Sequence, residues 1–339
     1  MDERGKVTSI FRRTFTAILI LFFSVCAFAK DPEFCGIWIS DPTDLHWETV
    51  VANVKKAGLN AIFVNFASAG AAFYPSKFLP NIEPDQPLSE LIRLAHNEGI
   101  QVHAKVLTFF MHWVPKAQMK QMIVKGRVLL NMRGKVAIQS ETPWLDPGQQ
   151  ENRELMQNVI SEILNKYSVD GLQLDYIRYF EESRVPASIM RIRQTTINGF
   201  VSETAQLVRK IRPQAKYSAC CFYNLRRAQN EMGQDWEAWI QQDLFSFLCP
   251  MNYTTHPKEL SKWITEQIRT QKGRTPLYSG LGAYMDHMNS DILLKEIDTV
   301  RRYTLPGFVL FSYNPKFVKK MLKPLSKALA PVPSSPSKS

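Results

Sequence analysis

Cysteine is scarce in this chain. Of five cysteines in 339 residues, four lie beyond position 29: Cys35, Cys220, Cys221 and Cys249. Each sits in an apolar run, at spacings that suit neither a disulfide framework nor a zinc site, so they read as free buried thiols. No His/Asp cluster with ligand spacing occurs, which argues against metal-dependent deacetylation; neither a metal nor another cofactor is expected. Acids are fewer than bases, 31 against 42. The basic residues are scattered rather than gathered in a stripe, so nucleic acid is not an expected partner.

A long apolar run is missing too. The nearest approach, TAILILFFSVCAFA (16–29), is too short for a convincing membrane span. It follows the basic stretch MDERGKVTSIFRR and ends in Ala27-Phe28-Ala29, small residues that suit signal-peptidase cleavage. Residues 1–29 are therefore expected to be a signal peptide, and the protein secreted or periplasmic, with no stable membrane insertion once the signal is removed. Phe23-Ser24-Val25 before Cys26 lacks the small residue preferred beside a lipidated cysteine. The leader holds four basic and two acidic residues, so +9 of the formal +11 stays with the mature chain. That charge suits an anionic envelope polymer, and simple solubility accounts for it equally well.

From residue 30 to 325 short β-rich runs alternate with amphipathic ones. The strand runs are FCGIWIS (34–40), LNAIFVNF (59–66), IQVHAKVLTFF (100–110), VDGLQLDYIRY (169–179), KYSACCFY (216–223), LFSFLCPMNY (244–253), TPLYSGLGAY (275–284) and PGFVLFSY (306–313). Eight strands separated by helical segments imply parallel βαβ units, and in a chain of this length a single-domain α/β (β/α)₈ TIM barrel. Residues 326–339, with PVPSSPSKS, read as a disordered tail. One connection is abnormally long. Residues 111–144, after the third strand, form an inserted loop in which GRVLLNMRGKVAI is expected to turn as a hairpin at Arg133-Gly134. A loop after a barrel strand lies on the active face. Trp113 and Trp144 at its ends are candidates to stack on sugar rings, or to pack the loop down.

Strand alternation selects the inward residues. Gln173 and Asp175 share a face opposite Leu172 and Leu174, and Asp175 sits at the strand's C-terminal end, where barrel enzymes keep their chemistry. Asp170, of opposite parity, reads as a turn residue. In the third strand His103 and Lys105 point inward; Lys105 needs an anionic partner or a function, and His103 reads as a hydrogen-bonded core residue. Asn65 holds a comparable place in the second strand. Asn252 and Tyr253 end the sixth, and Tyr284 the seventh, with Asp286 just beyond. Aromatics and amides at a barrel mouth suit a hydroxyl-rich ligand. Hydrolysis of a glycosidic bond requires two carboxyl groups, one ionised and one protonated. Asp175, kept charged by Arg178 or Lys105, fits the first duty. Asp286 is the first choice for the second, with Glu181 and Glu182 as alternatives.

The order of CGIWIS, LNAIFVNFAS, YPSKFLP (74–80), QVHAKV, WLDPGQQENRELM (144–156), VDGLQLDYIRYF, CPMNYT (249–254) and PGFVLFSYN (306–314) resembles the bacterial family-10 glycosylhydrolase-like barrels, which are unrelated to the xylanases sharing that numeral. WLDP followed by a helix and DGLQLDYIRY is the most specific element. The resemblance implies a barrel that hydrolyses glycosidic bonds in a cell-envelope or extracellular polysaccharide. One branch of such proteins acts on peptidoglycan strands stripped of their peptides. It also implies Asp175 as the acidic strand-end residue, with Tyr176, Arg178 and Tyr253 around it. Many relatives carry a second aspartate where Tyr176 stands here. DGLQLDYI also looks like the chitinase signature, but Ile177 replaces its acid glutamate, which removes the proton donor of a chitinase-type mechanism. The competing expectation is a carbohydrate-binding barrel without catalysis.

Overall fold

The structure, a computed structural model, describes residues 32–182 and 185–329; the expected leader and residues 330–339 lie outside the described residues. Eight strands form the barrel: β1 (Phe34–Ile39), β2 (Ala61–Ser68), β3 (Gln101–Leu107), β6 (Gly171–Asp175), β7 (Lys216–Phe222), β8 (Phe247–Met251), β9 (Tyr278–Leu281) and β10 (Gly307–Phe311). Two short strands, β4 (Ile138–Gln139) and β5 (Thr142–Pro143), pair outside it. The barrel closes in the order β1-β10-β9-β8-β7-β6-β3-β2, every pairing parallel. The expected (β/α)₈ architecture is what the chain adopts.

Helices cover the outside: α1 (Trp47–Lys56), α2 (Leu88–Asn97), α4 (Gln150–Lys166), α5 (Ala187–Ile211), α6 (Leu225–Met232), α7 (Trp236–Gln241), α8 (Pro257–Gln271), α9 (Ser290–Arg302), α10 (Pro315–Lys320) and α11 (Leu322–Ala328). The remaining helix, α3 (Lys116–Val124), lies in the long connection after β3. None of the described helices is long and apolar enough to cross a membrane. α11 runs three residues into the segment read as tail, because Leu322 and Leu325 on its inner face are buried.

Period-two alternation divides the apolar side chains into two clusters on either side of the barrel wall. Phe34, Trp38, Ala61, Phe63, Phe247 and Val309 fill the interior. Ile37, Ile62, Val64, Leu172 and Leu174 instead face the helices. Phe34 stacks on Tyr278 at 4.6 Å and Phe63 on His103 at 4.5 Å, which plugs the lower barrel with rings. His103 stays neutral there: burial depresses its pKa to about 3. Its Nε2 lies 3.3 Å from Gln101 Oε1, in keeping with a core role. Gly171 is required opposite it, since a Cβ would collide with the His103 ring. Asp170 is the turn residue expected, accepting from Val102 N at 2.7 Å beside His96 Nε2 at 2.8 Å.

One buried acid serves no visible partner. Glu296 lies on the inner face of α9 among Leu293, Ile297 and Val300. Neither of its carboxyl oxygens finds a hydrogen bond among the described residues. Burial raises its pKa from 4.5 to about 8. The folded state therefore holds a proton that the unfolded chain has released, so stability falls as pH climbs from 4.5 to about 8 and levels off above. Glu296→Gln should remove this slope. In urea melts across that range its stability relative to the parent should improve by about 5 kcal/mol; parallel pH dependences would show that Glu296 does not titrate this way.

Candidate active site

The interior becomes polar toward the strand ends. Gln173, fully buried, accepts from Trp38 Nε1 at 2.6 Å and from the Cys220 thiol at 3.4 Å. It donates to Ser218 Oγ at 3.4 Å and to Cys249 Sγ at 3.5 Å. One amide thus ties four strands together. The thiols are inert partners, because burial pushes Cys220 and Cys249 far above the ordinary range.

One layer above, Lys105 at the end of β3 donates to Asp175 Oδ2 of neighbouring β6 at 3.2 Å. Both side chains are buried, at 3% and 10% exposure. Leu107 pairs with Asp175 in register, which brings the lysine two residues earlier across to the carboxylate. The other oxygen, Asp175 Oδ1, accepts from the backbone N–H of Tyr176 at 2.8 Å. Tyr176 has φ +50°, a left-handed conformation that a bulky residue rarely adopts. The turn lays its ring on Phe110 at 4.5 Å. A sparsely populated backbone conformation directly after an inward carboxylate is the kind of strain that clusters at functional sites.

Aromatic residues complete the mouth. Phe311 at the end of β10 lies 5.7 Å from Lys105 Nζ. Tyr253 stacks on Phe311 at 5.6 Å, and Tyr284 meets it edge-on at 5.2 Å. Burial, reinforced by the Asp175 charge, pushes the Tyr176 phenol up to about 12. Burial likewise raises Tyr253 well above its ordinary value, with Cys220 and Asp175 adding to the effect. These hydroxyls are neutral donors throughout the physiological range.

Other expected residues fall elsewhere. Asp286 is fully exposed, 4.0 Å from Lys316. Glu181 is paired with Arg227. Glu182 pairs with Arg193 at 3.5 Å and accepts from Met132 N at 2.7 Å, which fastens the inserted segment. Arg178 does not touch Asp175; its guanidinium lies over Trp144 at 4.8 Å and Tyr176 at 5.3 Å, and burial lowers its pKa. The Trp144 ring is wholly buried against Phe110, Tyr176 and Phe180, so it packs the loop and presents no open face to a sugar. Trp113 is half-buried, edge-on to Phe73 at 4.7 Å. Asn252 points out of the barrel toward α8, donating to Gln267 Oε1 at 3.2 Å and Ser279 Oγ at 2.9 Å. Its amide is engaged in packing and does not face the mouth. Asn65, in register with Lys105, donates to the Ser40 carbonyl, and its buried Oδ1 has no partner among the described residues.

Phe311 and Phe110 were not singled out from the sequence, although Phe311 ends a strand with the inward parity of Val309, the same signal that picked Asp175. Among the described residues no group of three or more His, Cys, Asp or Glu could hold a metal ion.

Fold and mouth together define a (β/α)₈ barrel with a buried carboxylate and aromatic rings at its C-terminal end. Residues 33–186 match the family Glycosyl hydrolase-like 10, the one the sequence motifs resemble. Glycosyl hydrolase DigH of Escherichia coli is 21% identical over 325 residues, covering 74% of this chain and 73% of its own length. Glycosyl hydrolase YngK of Bacillus subtilis is 20% identical over 334 residues, covering 77% of this chain and 63% of its own. Among solved structures the glycoside hydrolase domain of PgaB (BpsB) from Bordetella bronchiseptica superposes with a TM-score of 0.68 at 13% identity. It covers 88% of this chain and 98% of that domain.

The Lys105–Asp175 pair yields a stability test. Breaking a buried pair leaves one charge uncompensated, so Lys105→Met alone should cost about 3–5 kcal/mol. The double variant K105M/D175L, with both charges gone, should recover most of that in chemical denaturation. Equal losses for single and double variants would mean that the pair is not coupled as its geometry requires.

Proposed function

We propose that this protein is an exported hydrolase that cleaves glycosidic bonds in a cell-envelope or extracellular polysaccharide, with Asp175 as its ionised catalytic carboxylate. The observation that carries the reading is a buried acid at the C-terminal end of the barrel, held by Lys105 and the Tyr176 N–H and surrounded by Tyr176, Tyr253, Tyr284 and Phe311. A carboxylate so placed serves as nucleophile or base toward an anomeric carbon or a water. The tyrosine hydroxyls supply donors for sugar hydroxyls, and the rings cover apolar sugar faces. The apolar leader accounts for export, and the +9 charge of the chain beyond it suits an anionic envelope. Peptidoglycan glycan freed of its peptides is the first substrate to try.

A second reading, a carbohydrate-binding barrel without turnover, is favoured by one observation. Of the four carboxylates considered for the mouth, Asp286 is solvated and Glu181 and Glu182 are engaged by arginines. Asp175→Asn separates the two readings. A hydrolase should lose at least ~1000-fold in turnover while still retaining glycan in a pull-down. Turnover unchanged by D175N would remove Asp175 from the chemistry, and retention by a parent chain that shows no turnover would favour the binding module.

A further inference from the structure

The segment between β3 and α4 is more than a long loop. Its stem is closed where Phe110 bridges Trp144 and Leu145 N donates to Phe109 O at 2.9 Å. Beyond the stem α3 leads into a hairpin in which Leu130 opposes Val136 and Asn131 N bonds Lys135 O. Two compositional features set this lobe apart. No acid occurs from Met111 to Ser140, while Lys116, Lys120, Lys125, Arg133 and Lys135 are all exposed. None of these five has an acidic partner among the described residues, and the sixth cation, Arg127, bonds Asn152 Oδ1. Also, five of the eight exposed large apolar side chains among the described residues fall here: Ile123, Val124, Leu130, Met132 and Ile138. Strand alternation and the 130–136 register put Leu130 and Ile138 on one face of the hairpin, and Met132 lies in its turn. Isolated exposed apolar residues are ordinary, but five within sixteen residues are not.

We propose that this lobe docks the protein on an anionic lipid surface, with its lysines against the headgroups and its aliphatic side chains between the acyl chains. Cations interspersed with exposed aliphatics are the chemistry that binds such an interface. An acidic polysaccharide would meet the same charges, but sugars are gripped by open aromatic faces. The lobe offers little of that: Trp144 is buried, and the half-buried Trp113 packs against Phe73 and against His112 at 3.9 Å. A second copy of the chain would bring like charges together. Because the stem rests beside Tyr176 and Asp175, docking holds the barrel mouth close to the surface.

Vesicle flotation tests this, using phosphatidylcholine with and without phosphatidylglycerol, and three chains: the parent, K116Q/K120Q/K125Q and V124S/L130S/I138S. All carry the same leader, so differences belong to the lobe. The parent should float only with phosphatidylglycerol. The lysine variant should weaken by about fivefold per charge, ~100-fold in total, and the aliphatic variant by at least ~tenfold. A second measurement uses Val124→Cys with a polarity-sensitive dye, whose emission should shift to the blue on phosphatidylglycerol vesicles beyond any change in the labelled parent. Binding indifferent to the serine substitutions, with equal capture on polygalacturonate, would assign the surface to an acidic polymer and overturn the proposal. So would self-association lost in the serine variant, or a parent that floats with neither vesicle.

Discussion

The mouth of this barrel is organised by one ion pair. Placing Asp175 in the interior is unfavourable unless a cation meets it, and placing Lys105 there is equally so. Their neighbouring strands run in parallel and in register, so each charge answers the other at 3.2 Å. The remaining features follow from that constraint. Phe311 lies beside the ammonium, and the Tyr176 N–H takes the second carboxylate oxygen at the cost of a left-handed backbone. Beneath the pair, the Gln173 amide joins β1, β6, β7 and β8 through hydrogen bonds rather than charge.

The inserted lobe is bound to the same point. Thr108 N donates to the Asp175 carbonyl at 2.8 Å, so the lobe leaves β3 directly beside the strand end that carries Asp175. Phe110 and Trp144 then bracket Tyr176, and Arg178 folds over the Trp144 and Tyr176 rings. A side chain expected from the linear order to bind substrate or to pair with Asp175, Arg178, thereby becomes the cover of an aromatic stack. Glu182 acts similarly, joining Met132 of the lobe to Arg193 of α5. Positioning of the lobe and positioning of the carboxylate are one structural problem.

The barrel was legible because its signals are local and periodic. Leu172 and Leu174 against Gln173 and Asp175 is a pattern that only an inward and outward alternation explains, and β3 repeats it with His103 and Lys105. Inside regular strands that parity held. At the ends it required more care. Asn252 follows Met251, whose inward parity sends the asparagine outward to Gln267, while Tyr253 returns to Phe311. Asp286 stands beyond the last paired residue of β9, where alternation no longer fixes direction, and it lies in water. The burial of Trp144 was not legible, because its cover comes from Arg178 and Phe180, more than thirty positions away. Tertiary neighbours of that kind leave no trace in a local pattern.

The central claim is that the Asp175 mouth breaks glycosidic bonds, and digestion of a polysaccharide panel by the parent protein tests it most directly. Bacterial and plant polymers, denuded peptidoglycan included, would be incubated with it and their soluble products weighed by mass spectrometry. The account predicts fragments with new reducing ends from at least one polymer. Polymers that stay intact across the panel while one of them is retained by the protein would contradict it, and leave a barrel that holds glycan without cutting it.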